Sequence, residues 1–106
     1  MDSIGQVGGS KLGIFEPIGN LADQIILVIA QFALNFIAQA LGLELRLKGL
    51  IDARVQVSLN GKLYYFKMEV EAVINGVWVA QYYECEVFVP LIGVWECRSY
   101  KLCQPN

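Results

Sequence analysis

From Gln24 to Leu43 the chain runs 20 residues without a charge. Such a run is long enough to cross a bilayer, or else it is the core helix of a small domain. The placing of its few polar residues decides between the two. At 100° per residue Gln24, Gln31, Asn35 and Gln39 fall on one stripe, which suits a solvent-facing edge and serves no purpose against lipid. A membrane span is therefore disfavoured, and one helix is expected from Leu21 to about Leu41. Asp23, the single charge of that stretch, stands at the front, where the helix dipole favours an acid. Gly42 ends it, since glycine takes the left-handed conformation that closes a helix.

Beyond the helix the sequence alternates with the period of strands. In residues 43–57 Leu43, Leu45, Leu47, Ile51, Ala53, Val55 and Val57 fall on one face, and Glu44, Arg46, Lys48, Asp52, Arg54 and Gln56 on the other. Asn60-Gly61 and Asn75-Gly76 are favoured hairpin turn pairs. Between them Tyr64, Phe66, Met68 and Val70 oppose Lys67, Glu69 and Glu71. Val77 to Val89 sets Tyr83, Cys85 and Val87 against Trp78, Tyr82, Glu84, Glu86 and Phe88. Pro90 to Gly93 turns the chain into a last strand, Val94 to Leu102. Ahead of the helix, residues 13–18 suit a short edge strand with Pro17, and residues 1–12, rich in glycine, read as a flexible arm. Consecutive hairpins after one helix imply an α+β domain, a long helix packed on a curled antiparallel sheet of four to five strands over residues 13–106.

Only 17% of the residues are charged and 56% are hydrophobic, which leaves little polar material to cover one small domain. Some apolar surface is expected to meet a partner. The formal charge of −2, with eight scattered basic residues, offers no field for phosphates, so nucleic acid is not an expected ligand. With no histidine the commonest general base and zinc ligand are both missing, and neither a metal site nor a cofactor is expected. Cys85, Cys97 and Cys103 lack metal spacing. Three free thiols are the expectation, the alternative being a bridge from Cys85 to one of the others. The start of the chain carries no secretory pattern, which leaves secreted and cytoplasmic locations both open.

The order of elements, together with particular residues, resembles the cystatins, and the plant cystatins most of all. Plant members open with a pattern close to L-G-G-W-x-P-I and continue into a helix containing F-A-[VL]. Here Leu12-Gly13-Ile14-Phe15-Glu16-Pro17-Ile18 is followed by Asn20, Asp23 and Ile29-Ala30-Gln31-Phe32-Ala33-Leu34. The family's Q-x-V-x-G hairpin corresponds to Gln56-Val57-Ser58-Leu59-Asn60, its Pro-Trp hairpin to Pro90-Leu91, and its closing run to Ser99-Tyr100-Lys101. The resemblance implies a cystatin-like fold and noncatalytic inhibition of papain-like cysteine proteases. The implied contacts are Gly8, Gly9 or Gly13 of the arm, Gln56 to Gly61 of the first hairpin, and Pro90 and Leu91 of the second. Ser58, Leu59 and Asn60 stand where the family has valine, alanine and glycine, and Leu91 where it has tryptophan. These departures imply weakened inhibition.

The helix is more apolar than one sheet can cover. A second contact is therefore expected, either another subunit or a lipophilic small molecule in an apolar cavity. Candidate contacts are Leu27, Val28, Leu34, Phe36 and Ile37 on the helix and Trp78, Tyr82 and Phe88 on the outer sheet face, and a homo-oligomer is expected. Glu69, Glu71, Glu84 and Glu86 alternate outward as a solvated row rather than a catalytic cluster. A binding protein is the expectation, ahead of an enzyme. The leading function is a cystatin-like protease inhibitor, and the alternative is a cystatin-fold protein binding or converting a lipophilic small molecule.

Overall fold

The computed structural model describes residues 6–7 and 10–105. Short strands β1 (Gln6–Val7) and β2 (Ser10–Lys11) pair with each other, and Gly8 and Gly9 lie outside the described residues. The main sheet is antiparallel, in the sequential order β3 (Phe15–Pro17), β4 (Leu45–Ser58), β5 (Gly61–Ile74), β6 (Val77–Pro90) and β7 (Glu96–Cys103). One helix, α1 (Gln24–Leu41), packs on one face of it, the inner face. The general α+β architecture and the five strands agree with the sequence reading.

The helix starts three residues later than its periodicity implies, for a local reason. Asn20 Oδ1 accepts the Ala22 N–H at 3.0 Å and holds a turn ahead of it. Asp23 is the N-cap, its Oδ1 accepting the N–H groups of Ile25 at 2.9 Å and Ile26 at 3.3 Å. At the other end Gly42 is left-handed, with φ 67°, and its N–H returns to the Ala38 carbonyl. The buried face is Ile26, Ile29, Ala30, Ala33, Leu34 and Ile37. Ala30 and Ala33 of that face belong to one core cluster with Phe66 and Met68 of the sheet. Leu34 and Ile37, expected as partner contacts, are therefore fully buried in the core. Phe32, on the flank, is partly buried and meets Trp95 edge to face at 5.6 Å.

The second correction lies in β4. Its pairing with β5 skips one residue between Leu47 and Gly49 and another between Leu50 and Asp52. Lys48 and Ile51 are thus extra residues of two β-bulges, which bend the strand and increase its twist. The first bulge reverses the alternation and the second restores it. Leu50 consequently points to the core opposite Met68, and Ile51, read as a core residue, is 42% exposed. From Ala53 onward the expected faces return, opposite Phe66 and Tyr64.

Asn75-Gly76 forms the expected tight turn, with φ of 53° and 78°. Asn60-Gly61 does not. Ser58 pairs with Gly61, so the central turn residues are Leu59 and Asn60, and Asn75 is the single non-glycine residue with positive φ among those described. Strands of 14 residues reach about 46 Å and the 18-residue helix about 27 Å, so the sheet extends well past the helix.

Candidate functional site

The register brings one end of the sheet together from three separate stretches of chain. Leu12 bridges to Val57, the Gly13 N–H donates to the Val57 carbonyl at 3.0 Å, and Gln56 Nε2 donates to the Gly13 carbonyl at 2.9 Å. Gly13 has φ 78°, and this left-handed step turns the chain from a parallel bridge into the antiparallel strand β3. Leu12 and Gly13 are thereby fastened beside the first hairpin, at Val57 and Gln56.

The first hairpin is fastened in turn to the second. Gly61 pairs with Pro90, and the Leu91 N–H donates to the Asn60 carbonyl at 3.0 Å. Ser58 Oγ donates to the Gly61 carbonyl at 3.0 Å and closes the turn from inside. At Gly61 φ is 151°, and a Cβ there would stand 2.7 Å from the Cα of Pro90, so the two backbones touch where only glycine fits. Beyond this junction the tips are apolar and bare. Leu59 is 79% exposed, Leu91 76%, Ile92 92% and Val94 86%. The sequence singled out Leu59 and Leu91 but missed Ile92 and Val94. An apolar run inside a turn, Leu91-Ile92-Gly93-Val94, was the available signal.

Behind the tips an open cleft of about 390 Å³ separates the first turn of α1 from the two hairpins, walled by Ile25, Val57, Val89, Leu91 and Trp95 with Lys62 at its side. The space between helix and sheet is filled by Ile29, Leu34, Ile37, Phe66, Met68 and Val70.

The expected outer-face patch is divided by cations. The Arg46 guanidinium lies 3.9 Å over the Trp78 ring and that of Arg98 lies 4.2 Å over Phe88, while Tyr82 is half-buried. Leu27 is half-buried and Val28 exposed on the helix, and Phe36 rests edge-on against Tyr100. Two glutamates of the row are engaged in structural pairs: Glu71 with Arg46 and Lys48, and Glu84 with Lys101 and the Tyr65 hydroxyl. Burial and the Glu84 hydrogen bond push Tyr65 up to about 12.

All three thiols are free. Cys103 belongs to the outer face, paired with Tyr82, whereas Cys85 is buried on the inner face, so those two do not approach. Burial raises the pKa of Cys85, Cys97 and Cys103, which keeps each thiol protonated at neutral pH and a poor nucleophile. The groups brought together at the end of the sheet are apolar tips on hydrogen-bonded turns. Comparison with protein-family models, curated proteins and solved structures finds no match for the chain.

Proposed function

We propose that this chain is a noncatalytic, cystatin-like inhibitor of papain-like cysteine proteases that offers the end of its sheet as a wedge to the active-site cleft. The observation that carries the reading is the junction of Gly13, Leu59-Asn60-Gly61 and Pro90-Leu91, cross-linked by backbone hydrogen bonds behind four bare apolar side chains. Turns locked to each other lose little freedom on binding, so apolar area at their tips converts to affinity with a smaller entropic cost. Leu91 stands where the resemblance expects tryptophan, and Ile92 and Val94 beside it supply part of the missing apolar area. A lipophilic ligand held between helix and sheet, the alternative, draws no support from a space already filled by Phe66, Met68, Leu34 and Ile37.

Titration of papain tests the reading. Stoichiometric loss of protease activity is expected, weakened by about tenfold or more in Leu91→Asp, since anchors at the centre of an interface commonly carry about 2 kcal/mol. Full papain activity at micromolar concentrations of the folded protein would refute it.

A further inference from the structure

The open edges of the sheet are not alike. Strand β7 carries Glu96, Arg98 and Lys101 along its length and a bulge opposite Glu86–Val87. Strand β3 is three residues long and contains Pro17. The stretch of β4 not covered by β3 carries Arg46, Lys48 and both bulges. Charges, proline, bulges and short length are the means by which proteins keep sheet edges from pairing with other chains. One stretch has none of them. Strand β7 pairs only as far as Tyr82, and Gln104 and Pro105, which follow it, lie outside the ladder, so Val77-Trp78-Val79-Ala80-Gln81 of β6 forms a regular, uncharged edge.

We propose that this edge pairs with the same edge of a second copy, antiparallel about a two-fold axis at Val79. The hydrogen-bond parity fits. The two-residue turn makes Ile74 and Val77 a bonded pair, and the alternation of an antiparallel ladder then points the N–H and C=O groups of Trp78 and Ala80 outward. In a register centred on Val79, Trp78 lies opposite Ala80 of the second copy, and each of the two pairs closes with groups that face the open side. The side chains fit as well: the largest residue of the stretch meets the smallest, and Val79 meets itself. No like charges are brought together.

The apolar area agrees with this occupant. Val77 and Leu102 are 60% and 59% exposed, and Trp78, Val79 and Phe36 between 37% and 44%. Leu102 is on the inner side beside Tyr83, as are Val77 and Val79, and Phe36 rests on Tyr100 of the same face. Together they offer on the order of 500 Å² per copy, so with the edge backbone the pair approaches the small end of specific interfaces, about 1,200 Å² in total. A weak, reversible dimer follows. The wedge tips lie some thirteen strand residues away, about 43 Å, so both remain free and point apart. The dimer does not depend on what the wedge binds.

Sedimentation of the full chain from low micromolar to several hundred micromolar tests the pairing. A concentration-dependent shift from 11.8 kDa toward twice that mass is expected. Val79→Lys and Val79→Glu each set like charges against each other at the two-fold axis, and each is expected to weaken dimerisation by about tenfold or more. An equimolar mixture of the two is expected to recover it as a heterodimer, an outcome that a folding defect in either variant would not produce. A chain that stays monomeric throughout, a dimer indifferent to both variants, or variants whose mixture does not associate would overturn the proposal.

Discussion

Gly61→Ala is the perturbation that most directly tests how the wedge is built. The added methyl group would stand 2.7 Å from the Cα of Pro90 and closer still to the Val89 carbonyl oxygen. Ordinary carbon contacts begin near 3.5 Å, so the two backbones must separate by nearly an ångström. Overpacking of this kind costs about 1–3 kcal/mol, and φ of 151° adds strain for any residue with a side chain. Separation also stretches the hydrogen bond from Leu91 to Asn60, worth about 1 kcal/mol. The sum is roughly 2–4 kcal/mol, a large share of the about 5–15 kcal/mol by which such domains are stable. Urea unfolding followed by tryptophan fluorescence measures it as a fall in the midpoint at constant slope. Papain inhibition should fall further than stability alone requires, because the tips splay. A loss below about 0.5 kcal/mol would mean that the hairpins do not meet at Gly61, and the account of the wedge would fail with it.

Two further outcomes concern the core and the tyrosines. Phe66→Ala is expected to destabilise the domain by about 3–5 kcal/mol. Phe32→Ala, at the flank against Trp95, should cost only about 1–2 kcal/mol. Equal losses in urea unfolding would put Phe32 back on the buried face. Burial raises Tyr64, Tyr65 and Tyr83 above their ordinary pKa, Tyr65 to about 12 with the help of Glu84. For groups raised in the folded state, stability is intact below the unfolded value near 10 and is lost as pH climbs through the folded one. The unfolding midpoint should therefore hold to about pH 10 and fall between 10 and 12. In Glu84→Gln the tyrosinate absorbance of Tyr65 should appear at lower pH, and an unchanged titration would contradict the hydrogen bond.

Which elements the sequence disclosed and which it hid depends on the kind of signal each one leaves. The helix, its glycine stop and the Asn75-Gly76 turn were legible because each rests on local chemistry within a few residues. The two bulges were not. A single bulge would have broken the alternation visibly, but the pair at Lys48 and Ile51 restores it, and the stretch between them is short enough to read as noise. The first hairpin misled for a different reason: Asn-Gly favours positive φ at both residues, yet the contact of Gly61 with Pro90 requires glycine one place later in the turn. That constraint comes from a strand nearly thirty residues downstream. For the candidate site, Gln56, Gly61 and Leu91 were legible through the resemblance, whereas Ile92 and Val94 belong to no motif and became visible only as exposed side chains on an ordered turn.

The surplus of apolar residues on α1 made a partner on the helix itself a natural expectation, and the geometry of the exposed face argues against that placement. Gln24, Gln31, Asn35 and Gln39 are all exposed to water, and Gln31 Nε2 donates to Asn35 Oδ1 at 2.9 Å. It runs between Ile25 and Phe36 on one flank and Leu27 and Leu41 on the other, with Val28 enclosed by the stripe. A partner laid along the helix would have to cover these amides to reach either flank, and covering an amide without a new hydrogen bond costs about 1–3 kcal/mol each. At the β6 edge the order of costs is reversed. There the exposed polar groups are the N–H and C=O of Trp78 and Ala80, which gain hydrogen bonds on pairing instead of losing water for nothing, and the valines beside them are covered in the same step. Phe36, on the flank that leans over β7, joins that surface through Tyr100. The apolar excess read from the helix is therefore relieved most cheaply at the sheet edge, with the polar stripe left in water.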